Sequence, residues 1–130
     1  MSKSDNIALA RRLYDSKADP AVVAEVLAGD IIWDVTPGFP QGGLYTGLDS
    51  VGRDFFGAMA ELVGSLYAEA DEIYADDEGH VFALGHYHVT SKSGKTVLPR
   101  FIHLWTVRDG KLVHMQQAGD SYVAHQALNG

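Results

Sequence analysis

The chain of 130 residues contains no cysteine. That excludes disulfides, thiol nucleophiles and cysteine-type zinc sites, and it suits a cytoplasmic setting. Basic residues are scarce: 10 Lys and Arg stand against 17 Asp and Glu, for a net charge of -7. Nucleic acid requires a basic face and anionic membrane surfaces disfavour an acidic chain, so neither is expected as a partner. No apolar run approaches the roughly 20 residues of a membrane span. The polar start Met1-Ser-Lys-Ser-Asp-Asn6 leads into a helix and does not read as a signal peptide. No phosphate-cradling glycine motif is present, because Gly42-Gly43 lacks a following lysine. No nucleophile elbow supports a serine triad. There is no internal repeat and no low-complexity segment. Nothing in the chain asks for a cofactor.

What is present is an ordinary globular composition, 46% hydrophobic and 21% charged. The length suits one domain, residues 1–130. Ile7, Ala10, Leu13 and Tyr14 fall at helical spacing and predict a helix over 4–17. Asp19-Pro20 is a carboxylate cap with proline at the first helical position. It opens a second helix with Val22, Val23, Val26 and Leu27 on one face, ended by Gly29. Ile31, Trp33 and Val35 alternate in a strand over 31–36, and residues 37–43 form a turn-rich loop. Asp49 can cap a third helix carrying Val51, Phe55, Met59 and Leu62, with Gly64 as terminator. Strands then follow over 66–76, 80–91, 95–107 and 111–119. Helices first and antiparallel strands after is the α+β pattern. Twist would curl such a sheet into a cone around the three helices of the N-terminal half. The open mouth of that cone is a natural ligand site.

The last two strands form a hairpin around Asp109-Gly110. A two-residue loop would pair Arg108 with Lys111; a three-residue loop with a glycine bulge would pair Val107 with Lys111. The apolar pattern favours the second, because it gathers Phe101, His103, Trp105 and Val107 with Val113, Met115 and Gln117 on one face. His103 then opposes Met115, with Gln117 on the diagonal.

The order of elements, Trp33-Asp-Val-Thr-Pro-Gly38, Tyr45-Thr-Gly47, and the strand Phe101–Lys111 with its Arg-Asp-Gly-Lys turn carry a resemblance over nearly the whole chain. The sequence resembles the SnoaL-like (polyketide-cyclase-like) branch of the nuclear transport factor 2-like, ketosteroid isomerase-like superfamily. The resemblance implies an α+β cone with a pocket between sheet and helices, often dimeric through the sheet. It also implies one of several activities, isomerase, dehydratase, epoxide hydrolase or cyclase, or a non-catalytic member. Their acidic residues do not transfer. The two ketosteroid isomerase positions fall near Val35 and near Phe101 or Ile102. Gly85, Tyr87 and Gln117 hold the epoxide hydrolase places, and polyketide cyclases also carry an acid near Gln117. An amide can orient a ligand there but not exchange a proton near neutral pH.

His103 is the leading candidate for acid/base work. Among Phe101, Trp105 and Met115 it would be desolvated and neutral. The alternative is a core histidine satisfied by backbone or a tyrosine. Tyr87 shares a face with Val81, Ala83, Gly85 and Val89, small residues that leave room, and its hydroxyl could donate to a substrate. Packing alone is the competing reading. Tyr14 can point into the same cavity, while Trp33, Phe101, Trp105 and Met115 would form its wall and Gln117 would orient a ligand. His80, His86 and His88 alternate on the opposite face with Phe82 and Leu84. Two histidines at i and i+2 can chelate a metal, but spacing supplies no third ligand, so no metal is expected. That face, with Ile102 and Leu104, reads as a convex surface pairing with a second subunit. The expected function is a pocket for a hydrophobic, ring-bearing small molecule. It is either a cofactor-independent isomerase, dehydratase or cyclase working by proton transfer, or a non-catalytic binding or interaction module.

Overall fold

A computed structural model describes residues 2–129. Helix α1 spans Lys3–Asp15 and opens on a reciprocal capping box, in which Ser2 accepts from the Asp5 amide and Asp5 accepts from the Ser2 amide. Helix α2 spans Pro20–Val26, with Asp19 accepting from the Ala21 amide. It stops three residues earlier than Gly29, because Leu27 already enters strand β1, Leu27–Val35. A short strand β2, Gly43–Thr46, pairs back on β1 within the segment expected to be loop.

Three consecutive segments, Leu48–Ser50, Val51–Phe56 and Gly57–Leu62, run on as helix α3 (48–62). Gly47, at φ +92°, stands at its N-cap in place of Asp49. The middle segment is a π-turn, closed by the Gly57 amide on the Gly52 carbonyl. The remaining strands are β3 Ser65–Ala75, β4 His80–Thr90, β5 Thr96–Val97, β6 Arg100–Arg108 and β7 Lys111–Gly119. The strand expected over 95–107 is broken at Leu98-Pro99, since proline has no amide to give the ladder. Helix α4, Ser121–Asn129, lies beyond the elements expected from the sequence; Asp120 caps it by accepting from the Val123 amide, and it buries Ala124 and Ala127.

The sheet order is β2-β1-β7-β6-β4-β3, with β5 on β4. All pairs are antiparallel except β1 and β7, which run parallel. The sheet curls strongly, and its concave side and the helices share one core from Ala10 and Leu13 through Ile31, Val51, Met59, Val81 and Leu112. The cone expected from the sequence is present, with a fourth helix added to the three.

The hairpin register differs from the expected one. Asp109 and Gly110, both at positive φ (52° and 74°), form a two-residue turn that pairs Arg108 with Lys111. The bulge lies further along β7, where Thr106 pairs with His114 but Val107 with Leu112, leaving Val113 as the extra residue. Leu112 therefore joins the core, fully buried, and Val113 leaves the inner set. Beyond the bulge Phe101, His103 and Trp105 still share the inner face with Met115 and Gln117, but His103 now pairs directly with Gln117 and Trp105 with Met115.

Candidate functional site

The inner faces of β6, β4 and β7 converge on His103, which is 5% exposed. Each of these strands alternates buried and outward residues, so His103, Tyr87 and Gln117 arrive on one side by the period of two. Tyr14 comes from α1 on the far side of the core. The Tyr14 hydroxyl lies 2.6 Å from His103 Nδ1, and the Tyr87 hydroxyl lies 2.7 Å from His103 Nε2. Trp105 Nε1 donates to the Tyr14 oxygen at 2.8 Å. Gln117 Nε2 donates to the Tyr87 oxygen at 3.0 Å. Behind it, the Thr36 backbone N–H is shared between Gln117 Oε1 at 3.1 Å and the Gln117 backbone carbonyl at 3.2 Å.

Two aromatic rings lie close to His103, Phe101 over its face and Tyr14 toward its edge. Phe101 stacks on it at 3.9 Å between centroids, and Tyr14 lies nearly parallel at 5.8 Å. Burial of this kind penalises the imidazolium, and no carboxylate is at hand to offset it. The His103 pKa falls to about 3, so the ring is neutral. Burial also pushes both tyrosine hydroxyls well above their ordinary range. At neutral pH the whole cluster is uncharged.

A cavity of about 70 Å³ reaches His103, Tyr14, Tyr87 and Gln117. On the measure by which one water needs about 10–15 Å³, this is space that the protein's own side chains leave open. Trp33, Trp105 and Met115 line it as expected from the sequence. Phe101 does not; it stands behind the site, stacked on His103 and 4.7 Å from the Tyr87 ring. The half-buried lining residues are Ala18, Phe56, Leu66, Tyr67 and Ala68, so the cavity opens between α1, α3 and β3.

Several wall residues escaped the sequence reading. Phe55 and Phe56 both reach Trp33, at 5.8 and 5.5 Å. Adjacent helical residues normally diverge; the π-turn shares one face between them. Phe39, from the loop after β1, packs against Tyr87 at 5.4 Å. The aromatic types were visible, but neither the helix widening nor the loop path has a local signal. Trp33 lines the space and is 7% exposed, but its Nε1–H is buried away from it, with no acceptor among the described residues.

The outward histidines of β4 do not touch this site. His80 pairs with Asp76 at 2.7 Å, His86 with Asp71 at 3.0 Å, and His88 with Glu69 at 3.1 Å. Glu69, His86 and His88 bring ligand atoms within 4.8 Å of one another, as do Asp76, Glu78 and His80. These are the groups among the described residues that could hold a metal. Spacing along β4 could not reveal Glu69, which arrives from β3.

An α+β cone with an aromatic cavity and a few inward polar groups defines a pocket domain of the nuclear transport factor 2-like class. Residues 10–115 match the SnoaL-like domain family, and the chain belongs to it. An NTF2-like protein from Burkholderia thailandensis E264 is similar at 28% identity and a TM-score of 0.84, over 98% of each chain. TerC, co-crystallised with polyporic acid, is similar at 24% identity and a TM-score of 0.87, over 97% of this chain and 99% of that one. A putative SnoaL-like polyketide cyclase from Jannaschia sp. CCS1 shares the fold at 17% identity and a TM-score of 0.79, over 98% of this chain and 94% of that one. Among curated proteins, none matches the sequence.

Proposed function

We propose that the chain takes a hydrophobic, ring-bearing small molecule into the cone. The observation that carries this reading is the cavity itself, walled by Trp33, Phe55, Phe56 and Met115 and reaching the polar cluster on His103. The related fold of TerC, crystallised with polyporic acid, is consistent with it. Within this reading His103 and Tyr87 are the pair for proton transfer of the isomerase or lyase type. A tyrosine hydroxyl meets the ligand, and the imidazole behind it gives and takes the proton without a cofactor. Trp33, Trp105 and Met115 hold the ring, Tyr14 and Gln117 set the polar end, and Phe101 supports His103 from behind.

A second reading, a ligand-binding module without turnover, is favoured by one feature. Both nitrogens of His103 are already occupied by tyrosines, and its pKa of about 3 is far from the range of an efficient base near neutrality.

A thermal-shift screen of small ring compounds tests the common part, since a ligand of the folded state raises its melting temperature. Ring compounds should raise Tm in the wild type, and Ala68→Phe, at the mouth, should reduce that shift. No response to any of them would overturn the pocket. For a hit that is turned over, His103→Ala should abolish turnover while the protein stays folded. Turnover unchanged in that variant would remove His103 from the mechanism.

A further inference from the structure

Two histidines on the outer face of β4 gain from β3 the third ligand that spacing along their own strand does not supply. His86 and His88 stand two residues apart on the side of the sheet away from the cavity, with ring centroids 4.9 Å apart. Glu69 is the register partner of His86 on β3. Its Oε1 lies 3.1 Å from His88 Nε2, and its Oε2 lies 3.8 Å from His86 Nε2. One ligand atom from each of the three residues falls within 4.8 Å of the other two. Tetrahedral zinc, with bonds of about 2.0–2.2 Å, holds its ligand atoms roughly 3.3–3.6 Å apart, so small side-chain rotations close the set.

Asp71, the extra residue of the β3 bulge, sets the tautomer of His86. Its Oδ2 lies 3.0 Å from His86 Nδ1. A carboxylate can only accept, so Nδ1 carries the proton and a neutral His86 turns a bare Nε2 toward the Glu69 carboxylate. Two acceptors that face each other in this way are what a cation joins. A carboxylate behind the imidazole is also the arrangement that orients metal-binding histidines. Tyr67 holds the second ring, stacked on His88 at 4.4 Å and 9° between planes. Glu69 and Asp71 together balance the charge of a divalent ion. The group Asp76, Glu78 and His80 lacks this poise. Asp76 Oδ1 already accepts from the Glu78 and His80 amides, and its Oδ2 is engaged by His80 Nδ1.

We infer that Glu69, His86 and His88 form a binding site for a divalent ion of the zinc class on the outer face of the sheet, with Asp71 as the positioning residue behind His86. Three protein ligands leave a fourth position facing solvent, since the Glu69 carboxylate is half exposed and both imidazoles are part-exposed. Two imidazoles and one carboxylate suit Zn²⁺, Ni²⁺ and Cu²⁺; Mg²⁺ and Ca²⁺ take oxygen ligands and are disfavoured. A bound ion ties the edge strand β3 to β4 beside the bulge. None of its three ligands lines the cavity, so the site stands apart from the pocket reading.

Calorimetric titration of the tag-free protein with zinc chloride tests the site. One ion should bind per chain and raise Tm, and magnesium chloride should do neither. Asp71→Asn should weaken zinc binding about tenfold with the metal-free Tm unchanged. His86→Ala and His88→Ala should each weaken it further, while His80→Ala leaves it as in the wild type. Cobalt(II) in place of zinc should give the intense visible bands of a four-coordinate ion, lost in His88→Ala. If His86 is instead an imidazolium that satisfies both carboxylates by itself, zinc produces no binding heat and no rise in Tm, and the inference is overturned. Zinc binding that survives both His86→Ala and His88→Ala would overturn it as well. Either result leaves the pocket untouched.

Discussion

His103 is a titratable group held in a place that admits only one of its charge states. In the unfolded chain its pKa is near 6.5; in the folded protein burial lowers it to about 3. Between those values the unfolded chain binds a proton that the native one refuses. The stability contributed by the neutral ring is therefore complete above pH 6.5 and is lost as the pH falls toward 3. The limit is about 1.4 kcal/mol per pH unit from this one residue. His103→Gln keeps a donor and an acceptor between the two tyrosines and removes the titration. Urea midpoints measured from pH 7 to pH 4 should fall more steeply for the wild type than for this variant. Parallel slopes would mean that the ring takes up its proton inside the fold.

Gly85 shows how an element is shaped for the site. On β3 the pairing slips between Ala70 and Glu72, so Asp71 is extra, and Gly85 of β4 lies opposite that bulge. A Cβ there would come 1.9 Å from the Glu69 carbonyl oxygen and 2.9 Å from Phe101 Cζ. Gly85→Ala should cost about 2–3 kcal/mol, read as a lower urea midpoint, because rigid backbone leaves little room to yield. It should also disturb the Phe101 ring that stacks on His103.

Much at this scale was legible in the chain. The period of two placed Tyr87 with Gly85, and Phe101 with His103 and Trp105, whatever the register of the turn. The register of the turn is not legible, because bulge position has no local signature. The type I′ geometry of Asp109-Gly110 and the displaced Val113 satisfy the apolar pattern together, and a single-bulge turn satisfied most of it alone. Asp120-Ser121 with Ala124 and Ala127 is a readable cap and helix face. The bond from Tyr14 to His103 links α1 to β6, and sequence spacing carries no information on such a pairing.

For the molecule as a whole, the convex side of the sheet carries exposed apolar side chains. Ile102 is 53% exposed and Tyr74 55%, beside Phe82 at 36%. We propose that a second copy covers this face, since exposed apolar area on a sheet is usually covered. Light scattering should then find a dimer for the wild type and a monomer for Ile102→Glu. A monomeric wild type at micromolar concentration would refute the dimer and leave the pocket unaffected.

The parallel pairing of β1 with β7 bears on how the molecule is made. Trp33 and Met115 are neighbours across that pair, yet the intervening chain includes every other strand. A growing polypeptide cannot close the cone until its final hairpin has emerged, so the aromatic residues of the N-terminal half must wait uncovered. Contacts this distant along the chain favour slow folding, on the order of milliseconds to seconds. The cavity is thus a late product of synthesis, and β1 is the strand most in need of protection until β7 arrives.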